Sequence, residues 1–548
     1  MDKKFRTVFF AGILVCMTVL LYAPTLVSGF FSDDWHWLFL TATQSSVWQY
    51  FTTNIIGTRN GSSYGPLLNL FFTMQYQVFG LHAFWYHLVN LLAHLGVVSL
   101  IYTLVAKMTG NKPIGYVAAL LFTVLPAHSE AVVWVASETH VFGTLFFFLS
   151  IYAYYRFVTG KEKLWYGLAM LSIVLSLGIK EISITFLGVY LLIEFFYGRD
   201  KKGWFLWLWQ VVQRFIVPLV LLLGYLWLRR YATGYVAGYY GQTHLTIDLA
   251  ALRQMFIALT VNIFFTHPYR LQGANWFFQH EWLWWSLCLS VLGSIFATAK
   301  IYHRHLFFFV GAYVVVSLPF LTLLLNPSND EGERYVYLLS VFAVSFVAVW
   351  WYALCARLLR GRTLFFVGTT ILCLVFAIIL RQKNHHWVVS GQVVTSILAH
   401  VTELHIEPTD YIYFVGLPDT VQGAQIFRNA IKEAIFLTSG TQVSGERIPL
   451  YTMPEAHDAT RPLVIVSSTL ANTYQFQAVD TVAPRIFTGF REWKTVFATF
   501  YLQQFLRDNT GTSIVATLSP DALATAEREG KRLRLIYFTD NRLREVLW

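Results

Sequence analysis

The chain has 548 residues, of which 56% are hydrophobic and 13% are charged. These proportions exclude an ordinary soluble globule, because such proteins carry about 25% charged residues. The formal net charge of +10 does not indicate nucleic-acid binding, since the basic residues form short clusters between apolar runs rather than one basic face. All four cysteines lie in or beside apolar runs, so neither a disulfide framework nor a zinc site is predicted.

The N-terminal segment has the layout of a signal peptide. Lys3, Lys4 and Arg6 precede an apolar run at 7–26, which is long enough, at about 20 residues, to cross the ~30 Å hydrocarbon layer as a helix. No small-residue cleavage site follows it, and many apolar runs come after it. We therefore expect an uncleaved first membrane-spanning helix.

Further apolar runs of membrane-spanning character recur up to residue 380. They occupy 84–106, 114–125, 141–155, 164–177, 182–196, 215–228, 282–297, 306–325, 335–356 and 364–380. The shorter runs must draw on flanking residues to cross the bilayer. The predicted fold is therefore mainly α: a polytopic transmembrane helical bundle of about eleven spans, followed by a C-terminal soluble α/β domain.

The distribution of Lys and Arg predicts the orientation of these spans. With the N-terminus in the cytoplasm, each predicted inner loop carries two or three basic residues; these loops are 107–113, 156–163, 199–203, 300–305 and 357–362. This agreement with the positive-inside rule predicts a multi-pass protein of the plasma (inner) membrane. The apolar segment 249–266 contains Arg253, Gln254 and Asn262, which favours a re-entrant or interfacial helix over a full span.

The composition changes near residue 382 to that of a soluble α/β domain. Runs at 411–415, 463–467 and 532–539 are typical of β-strands, and 422–437 is typical of a helix. We therefore predict two domains. Residues 1–381 form the transmembrane catalytic domain, with outer loops 28–82 and 229–281, and residues 382–548 form an extracytoplasmic soluble domain.

Asp33 and Asp34 are the most informative polar residues. They follow the first helix by only a few positions and lie among aromatic residues, where a charge costs energy unless it is solvated, paired or functional. Adjacent side chains point in different directions, so the two carboxylates are expected to have different roles. One could accept a proton from an acceptor hydroxyl while the other orients a helix end or a cation. The alternative is an N-cap, in which Ser32, Asp33 or Asp34 begins a short helix.

Other polar groups fall on the same predicted outer side. They are His128 and Glu130 after the third span, Ser137 to His140 before the fourth, Lys180 and Glu181 between the fifth and sixth, and 329–335 before the tenth. Each could be an ordinary solvated loop, and Lys180 with Glu181 could be a snorkelling pair. Their convergence on one side favours a site.

His87, Asn90 and His94 share one face of the second predicted span. Polar residues in a span face the bundle interior, and the alternative to a site is hydrogen bonding between helices. Two histidines with Asp33 and Asp34 could bind a divalent metal, but no H-E-x-x-H or comparable spacing supports one. We therefore predict no metal and no cofactor.

Several motifs in consistent order carry a family resemblance. They lie at 31–34, 86–94, 118–134, 177–181 and 332–338. Through them the chain resembles, over about 8–380, the GT-C superfamily of membrane glycosyltransferases. It is most similar to bacterial relatives of the transmembrane TPR-containing protein O-mannosyltransferases.

The resemblance implies a polyprenyl-phosphate sugar donor, an active site in the outer loops and inversion at the anomeric carbon. It implies that Asp33 or Asp34 is the general base and that Arg334 or Lys180 contacts the donor phosphate. The other candidate substrate-binding residues are Glu181, Tyr335, His128, Glu130, Arg59, His87 and Asn90. The expected partners are this donor, membrane lipids and an acceptor glycan, lipid or protein, with no nucleic acid.

The chain departs from the family pattern at two places. Relatives often have Arg-Pro-Leu after the first loop, whereas this chain has Gly65, Pro66 and Leu67, so one phosphate contact is missing or supplied by Arg59. The C-terminal part shows no TPR period, so protein O-mannosylation does not follow from the resemblance.

Three other functions remain open. A lipid or polysaccharide transporter or flippase predicts inverted repeats and broken helices, neither of which is clear in the sequence. A non-catalytic membrane assembly protein predicts that Asp33 and Asp34 are dispensable. Another lipid-utilising transferase, such as a polysaccharide ligase or polymerase, would share the site but not the order of motifs.

Overall fold

A computed structural model describes most of the chain. It describes residues 3–59, 63–199, 203–236, 249–266, 269–322, 332–448, 464–470, 472–478, 492–504, 512–540 and 542–546. Two compact units divide the chain. The first comprises Met1–Leu26 and Gln44–Asn384, and the second comprises Val27–Thr43 and His385–Trp548.

Helices make up the N-terminal two thirds of the chain. The α-helices are α1 Lys3–Tyr22, α2 Asp33–Thr43, α3 Gln49–Thr52, α4 Pro66–Phe79, α5 Ala83–Thr109, α6 Lys112–Val124, α7 Ser129–Val133, α8 Glu138–Gly160, α9 Lys163–Ile179, α10 Phe186–Ile193, α11 Trp204–Thr233, α12 Leu249–Phe264, α13 Tyr269–Gln279, α14 Glu281–Phe296, α15 Lys300–Ser317, α16 Tyr337–Cys355 and α17 Gly361–Glu403. Short 3-10 turns lie at Ala23–Val27, Pro126–His128, Val135–Ser137, Glu181–Thr185, Leu318–Thr322 and Glu333–Val336, and a π-helical turn lies at Glu194–Gly198.

Eight helical segments in the described residues are long and apolar enough to cross a membrane. They are Val8–Val27, Ala83–Thr109, Val135–Gly160, Glu181–Gly198, Trp204–Thr233, Lys300–Leu321, Glu333–Cys355 and Gly361–Glu403. The pair Lys112–Val124 and Pro126–Val133 makes a ninth if counted as one span, although it bends by 58°. The break falls at Pro126, which has no N–H for a helical hydrogen bond. The protein is therefore a multi-pass membrane protein, as predicted.

Two of the predicted spans form shorter helices. Lys163–Ile179 has 17 residues and Glu281–Phe296 has 16. A helix of either length rises about 25 Å, less than the ~30 Å hydrocarbon layer. The count of eleven spans therefore stays a prediction.

Glycines allow close approach between helices of the first unit. A methyl group added at Gly115 of α6 would lie 2.8 Å from the carbonyl oxygen of Tyr102 on α5. In a membrane such small residues let helix backbones meet directly, which strengthens van der Waals packing where the hydrophobic effect is weak. The α5 and α6 pair is thereby fixed, and α6 also packs against α16.

The second unit contains the strands. They are β1 Asp410–Val415, β2 Thr420–Val421, β3 Ala424–Gln425, β4 Ser444–Ile448, β5 Val464–Leu470, β6 Thr473–Ala478, β7 Glu492–Lys494, β8 Ala498–Gln504, β9 Thr512–Leu518, β10 Arg532–Thr539 and β11 Arg542–Val546, with helices α18 Ile431–Ser439 and α19 Pro520–Arg528. One sheet has the order β11-β10-β1-β4, in which β1 is parallel to both neighbours. A second, antiparallel sheet has the order β5-β6-β9-β8-β7. This mixture of helices and sheets confirms the predicted α/β character.

The predicted helix at 422–437 is wrong in its first half. Residues 420–425 form the β2-β3 hairpin, and the helix begins only at Ile431. The turn residues Gln422 and Gly423 have φ of 48° and 92°. Ala430, which immediately precedes the helix, has a φ of 64°. An α-helix cannot contain these left-handed conformations. The apolar periodicity of this segment therefore reflects burial in the hairpin.

An ion-pair cluster at the start of β1 makes the second unit sensitive to acid. Arg532 and Arg534 both donate to the Asp410 carboxylate, at 2.6 and 2.8 Å. Burial raises the Asp410 pKa, but the bonds from these arginines and from the Glu407 N–H outweigh it and bring the pKa below its usual value of 3.8. The ion pairs therefore stabilise the folded second unit fully at pH values above the usual Asp pKa of 3.8.

We expect this stabilisation to be lost as pH falls through the lowered Asp410 pKa. Asp410→Asn should destabilise the second unit by about 3 kcal/mol at neutral pH, because it removes a charged acceptor from two arginines. Hydrogen exchange in peptides covering β1 and β10, corrected for intrinsic rates, measures both effects. An Asp410→Asn variant as sensitive to acid as the parent would contradict this assignment.

Candidate functional site

The turn at 31–34, which we call the Asp33 turn, leads directly into α2 within the second unit. Ser32 has a φ of 40°, in the region of backbone conformation that residues other than glycine rarely adopt. Its N–H donates to the Ile426 carbonyl at 2.8 Å, and its Oγ accepts from the Asn429 N–H at 3.1 Å. These bonds hold a backbone conformation that costs about 1–3 kcal/mol.

Asp34 has a structural role in this turn. Its side chain is fully buried, and Oδ2 accepts a hydrogen bond from the Phe31 N–H at 2.8 Å. A carboxylate that reaches back three residues to a backbone N–H is half of a capping box. Asp34 therefore supports the first turn of α2 from within the helix, and it is not the N-cap, because an N-cap side chain accepts from an N–H two or three residues further along the chain.

Asp33 has a different environment. Its side chain is only half-buried, and Oδ1 accepts from Asn429 Nδ2 at 2.7 Å. A proton acceptor must be reachable by its substrate, and the partly exposed carboxylate meets this condition better than the buried one. The two adjacent aspartates thus differ in burial and in hydrogen-bond partner. Asp33 is the candidate base.

The first unit contains a second group of predicted site residues, centred on Glu130 and Arg334. Glu130 is buried and accepts from the Arg334 N–H at 2.8 Å and from the Gly332 N–H at 3.3 Å. Its carboxylate also forms an ion pair with the Arg334 guanidinium. Glu130 on α7 therefore fixes both the backbone and the side chain at the start of the tenth predicted span.

Aromatic rings surround the Arg334 guanidinium. Its Cζ lies 4.9 Å from the Trp134 ring centroid and 4.7 Å from that of Tyr335. The Tyr335 ring also lies 5.8 Å from Lys180 Nζ, so one ring is shared by two cations. We call Glu130, Trp134, Lys180, Arg334 and Tyr335 the cation cluster. The structure thus brings together four of the predicted substrate-binding residues, and sequence analysis had not assigned Trp134 to the site.

Lys180 and Glu181 do not bond to each other, which was one of the alternatives for these two residues. Glu181 accepts from Ser63 Oγ at 3.2 Å. Lys180, also half-buried, has no carboxylate within ion-pair distance in the described part of the chain. The backbone at 179 packs closely on Gly65, where an added methyl would lie 2.8 Å from the Ile179 carbonyl oxygen. Position 65 therefore has no room for the arginine that relatives often have there.

A buried ion triad adjoins this cluster in sequence. The Glu333 carboxylate pairs with Arg270 of α13 and with Lys383 of α17, and all three side chains are buried. We call these three residues the Glu333 triad, and no pattern in the sequence had predicted it. The sequence contains one indication of this triad: Lys383 is a charged residue in the same helix as the apolar run 364–380.

The remaining predicted residues have mostly structural contacts. His87 Nδ1 lies 3.0 Å from the Val133 carbonyl, and Asn90 Nδ2 donates to the Val132 carbonyl at 2.8 Å. His128 Nε2 lies 2.8 Å from Ser340 Oγ. These contacts fit the alternative of hydrogen bonding between helices. Arg59 is exposed.

No group of three or more His, Cys, Asp or Glu is placed to hold a metal ion among the residues that the structure describes. His87 and Asn90 bond to backbone carbonyls of α7, and His128 bonds to a serine. Asp33 bonds to an amide. The predicted absence of a metal stays a prediction.

Sequence comparison finds relatives for part of the chain, and no family model matches it. The protein O-mannosyl-transferase TMTC1 of Homo sapiens is 30% identical over 213 residues, which cover 35% of this chain and 24% of that protein. TMTC2 of Mus musculus is 36% identical over 101 residues, 18% of this chain and 12% of the relative. TMTC3 of Homo sapiens is 31% identical over 145 residues, 26% of this chain and 16% of the relative. The chain thus spans a quarter or less of these relatives' length, and the predicted resemblance to them is confirmed.

Two solved structures align with much of the chain, each at a TM-score below 0.5. The Archaeoglobus fulgidus oligosaccharyltransferase, crystallised with Zn and sulfate, aligns with 79% of this chain and 62% of its own at a TM-score of 0.43 and 10% identity. ArnT from Cupriavidus metallidurans in the apo state aligns with 93% of this chain and 98% of its own at a TM-score of 0.44 and 11% identity.

Proposed function

We propose that this protein is a membrane glycosyltransferase that transfers a sugar from a polyprenyl-phosphate-linked donor to an acceptor hydroxyl outside the cytoplasm. The proposal places it in the plasma membrane, with the N-terminus in the cytoplasm and the C-terminal part outside. Mannose is the first sugar to test, because the curated relatives are named O-mannosyl-transferases. The acceptor is a glycan, a lipid or a protein.

The proposed reaction is a single displacement. The acceptor oxygen forms a bond to the anomeric carbon as the bond from that carbon to the phosphate oxygen breaks, which inverts the anomeric centre. Asp33 takes the hydroxyl proton, and polyprenyl phosphate leaves with one additional negative charge. A positioned base contributes about 10²–10⁴-fold to such a step.

The environment of Asp33 is the observation that carries the proposal. It is half-buried on a fixed turn beside a carboxylate that is fully buried and bonded to the backbone. A turn pinned at Ser32 holds the Asp33 backbone in one position while the side chain stays accessible. Such preorganisation is what a general base requires.

The cation cluster supports a role in donor binding. Arg334 is held by Glu130 and stacks on two aromatic rings, which fixes its guanidinium in one orientation. Lys180 adds a second cation next to Tyr335. An oriented guanidinium binds phosphate oxygens well, and both cations would stabilise the charge that develops on the leaving phosphate. We therefore propose Arg334 and Lys180 as donor-phosphate ligands.

Donor cleavage by purified protein tests the function directly. The protein in lipid nanodiscs is incubated with polyprenyl-phosphate mannose, or with another polyprenyl-phosphate sugar, and with extracted cell-surface glycans, lipids and proteins. We expect release of free polyprenyl phosphate and incorporation of the labelled sugar. The same rate is expected in EDTA, because the proposal includes no metal.

The competing functions give different results in the same preparation. A flippase reconstituted in vesicles would move the lipid-linked sugar between leaflets without cleaving it. An assembly protein would neither cleave nor move it. Heat-inactivated protein is the control for spontaneous hydrolysis, and no cleavage with any donor and acceptor would overturn the proposal.

A further inference from the structure

We propose that Asn429 is a positioning residue for Asp33, so that the C-terminal part of the chain completes the catalytic turn. The inference rests on the proposed function, because it assumes that Asp33 is the base. The two residues are 396 positions apart in sequence and belong to the same compact unit. No sequence motif indicated this pairing.

One loop makes three hydrogen bonds to the Asp33 turn. Asn429 Nδ2 donates to Asp33 Oδ1 at 2.7 Å, and the Asn429 N–H donates to Ser32 Oγ at 3.1 Å. The Ile426 carbonyl accepts from the Ser32 N–H at 2.8 Å. The loop thus bonds both to the backbone that carries Asp33 and to its carboxylate.

Two arginines hold this loop in place. Arg428, next to Asn429, donates to the Asp419 carboxylate at 2.9 Å. Arg447 of β4 donates to the Leu417 carbonyl at 3.1 Å and to the Arg428 carbonyl at 3.4 Å. Burial lowers the Arg447 pKa to about 10, so the guanidinium still carries its charge at neutral pH. The loop is therefore bonded at Arg428 to the segment that follows β1 and to β4.

The helices that follow the Asp33 turn and the Asn429 loop, α2 and α18, also contact each other. His36 of α2 lies 3.7 Å from the Glu433 carboxylate of α18, and Phe39 packs edge-on against Phe436 with ring centroids 5.4 Å apart. Burial raises the Glu433 pKa, but His36, the Glu433 N–H and Lys432 together outweigh it, so the pKa lies below its usual value. These contacts keep α2 and α18 in register, which fixes Asn429 opposite Asp33.

The chemistry of an amide donor suits this position. Asn429 carries no charge, so it orients the Asp33 carboxylate without competing for the proton. Its N–H occupies Oδ1 and leaves Oδ2 to accept the proton from the acceptor hydroxyl.

The test compares Asn429→Ala and Asn429→Asp in the full-length protein, with Gln442→Ala as the control for loss of an exposed amide in the same unit. We expect Asn429→Ala to lower kcat about tenfold with little change in KM, as loss of one charge-assisted hydrogen bond predicts. The acid side of the pH–rate profile should move to higher pH in Asn429→Asp, which places a second carboxylate beside the first. Gln442→Ala should leave both unchanged.

A double-mutant cycle separates positioning from a general structural effect. In an Asp33→Asn background, Asn429→Ala should not lower the residual rate further, because the base it positions is already absent. Equal effects in both backgrounds, or an unchanged kcat in folded Asn429→Ala, would overturn this inference while leaving the proposed function standing. Full activity of Asp33→Asn would remove Asp33 as the base, whereas the absence of any sugar transfer by the parent protein would remove the proposed function itself.

Discussion

Replacing Asp33 by Asn is expected to lower the rate of sugar transfer by about 10³-fold, the middle of the range for loss of a general base. The amide has nearly the shape of the carboxylate and an oxygen that can still accept the Asn429 bond, so the turn should keep its structure. What it lacks is the ability to take a proton from the acceptor hydroxyl. Donor cleavage and sugar incorporation, measured in nanodiscs, report the loss.

Asp34→Asn is the matched control for this experiment. Its amide oxygen can still accept from the Phe31 N–H, so turnover by folded protein should stay within about tenfold of the parent, the effect of about one hydrogen bond. Asp521→Asn, at an exposed position in the first turn of α19, should have no effect. A rate lost in Asp34→Asn but retained in Asp33→Asn would reverse the assignment of the base.

The largest expected effect on stability is that of Glu333→Gln. The buried Glu333 carboxylate is shared by Arg270 and Lys383, and its removal leaves both buried cations without it. Breaking a buried ion pair by removing one partner typically destabilises a protein by about 3–5 kcal/mol. Thermal unfolding of the purified protein in detergent, compared with the parent, measures the effect.

Lys383→Met provides the matched comparison, because it leaves the buried Glu333 carboxylate paired with Arg270. It replaces one cation with an apolar side chain of similar length, whereas Glu333→Gln removes the carboxylate that both cations share. We therefore expect its effect on the unfolding midpoint to be much smaller than that of Glu333→Gln. Equal destabilisation by the two variants would contradict the role of Glu333 as the shared partner of both cations.

Most of the membrane part was predictable because its signal is local. A membrane-spanning helix satisfies all its own backbone hydrogen bonds, so a long apolar run is enough to specify it. The runs at 84–106 and 335–356 illustrate this, since the helical segments are Ala83–Thr109 and Glu333–Cys355. The helix predicted at 422–437 failed because its left-handed turn residues are not distinguished by hydropathy.

The candidate site was predictable in part. Charged residues stand out in an apolar sequence, which is why Asp33, Glu130, Lys180 and Arg334 could be selected without a structure. Their partners could not be assigned, since a charge on its own does not identify the residue it contacts. Glu181, for which a pair with Lys180 was one alternative, bonds to Ser63, which lies 118 positions away.

The sequence by itself determined that this is a multi-pass membrane protein with a polar site and a family resemblance. Hydropathy, basic clusters and short motifs are properties of neighbouring residues, and they can be read without the fold. Only the tertiary structure decided that Asp34 is buried while Asp33 is accessible, that Asn429 bonds to Asp33, and that Glu333 joins Arg270 to Lys383. The physical reason is that burial and pairing depend on segments distant in sequence, which come together only on folding.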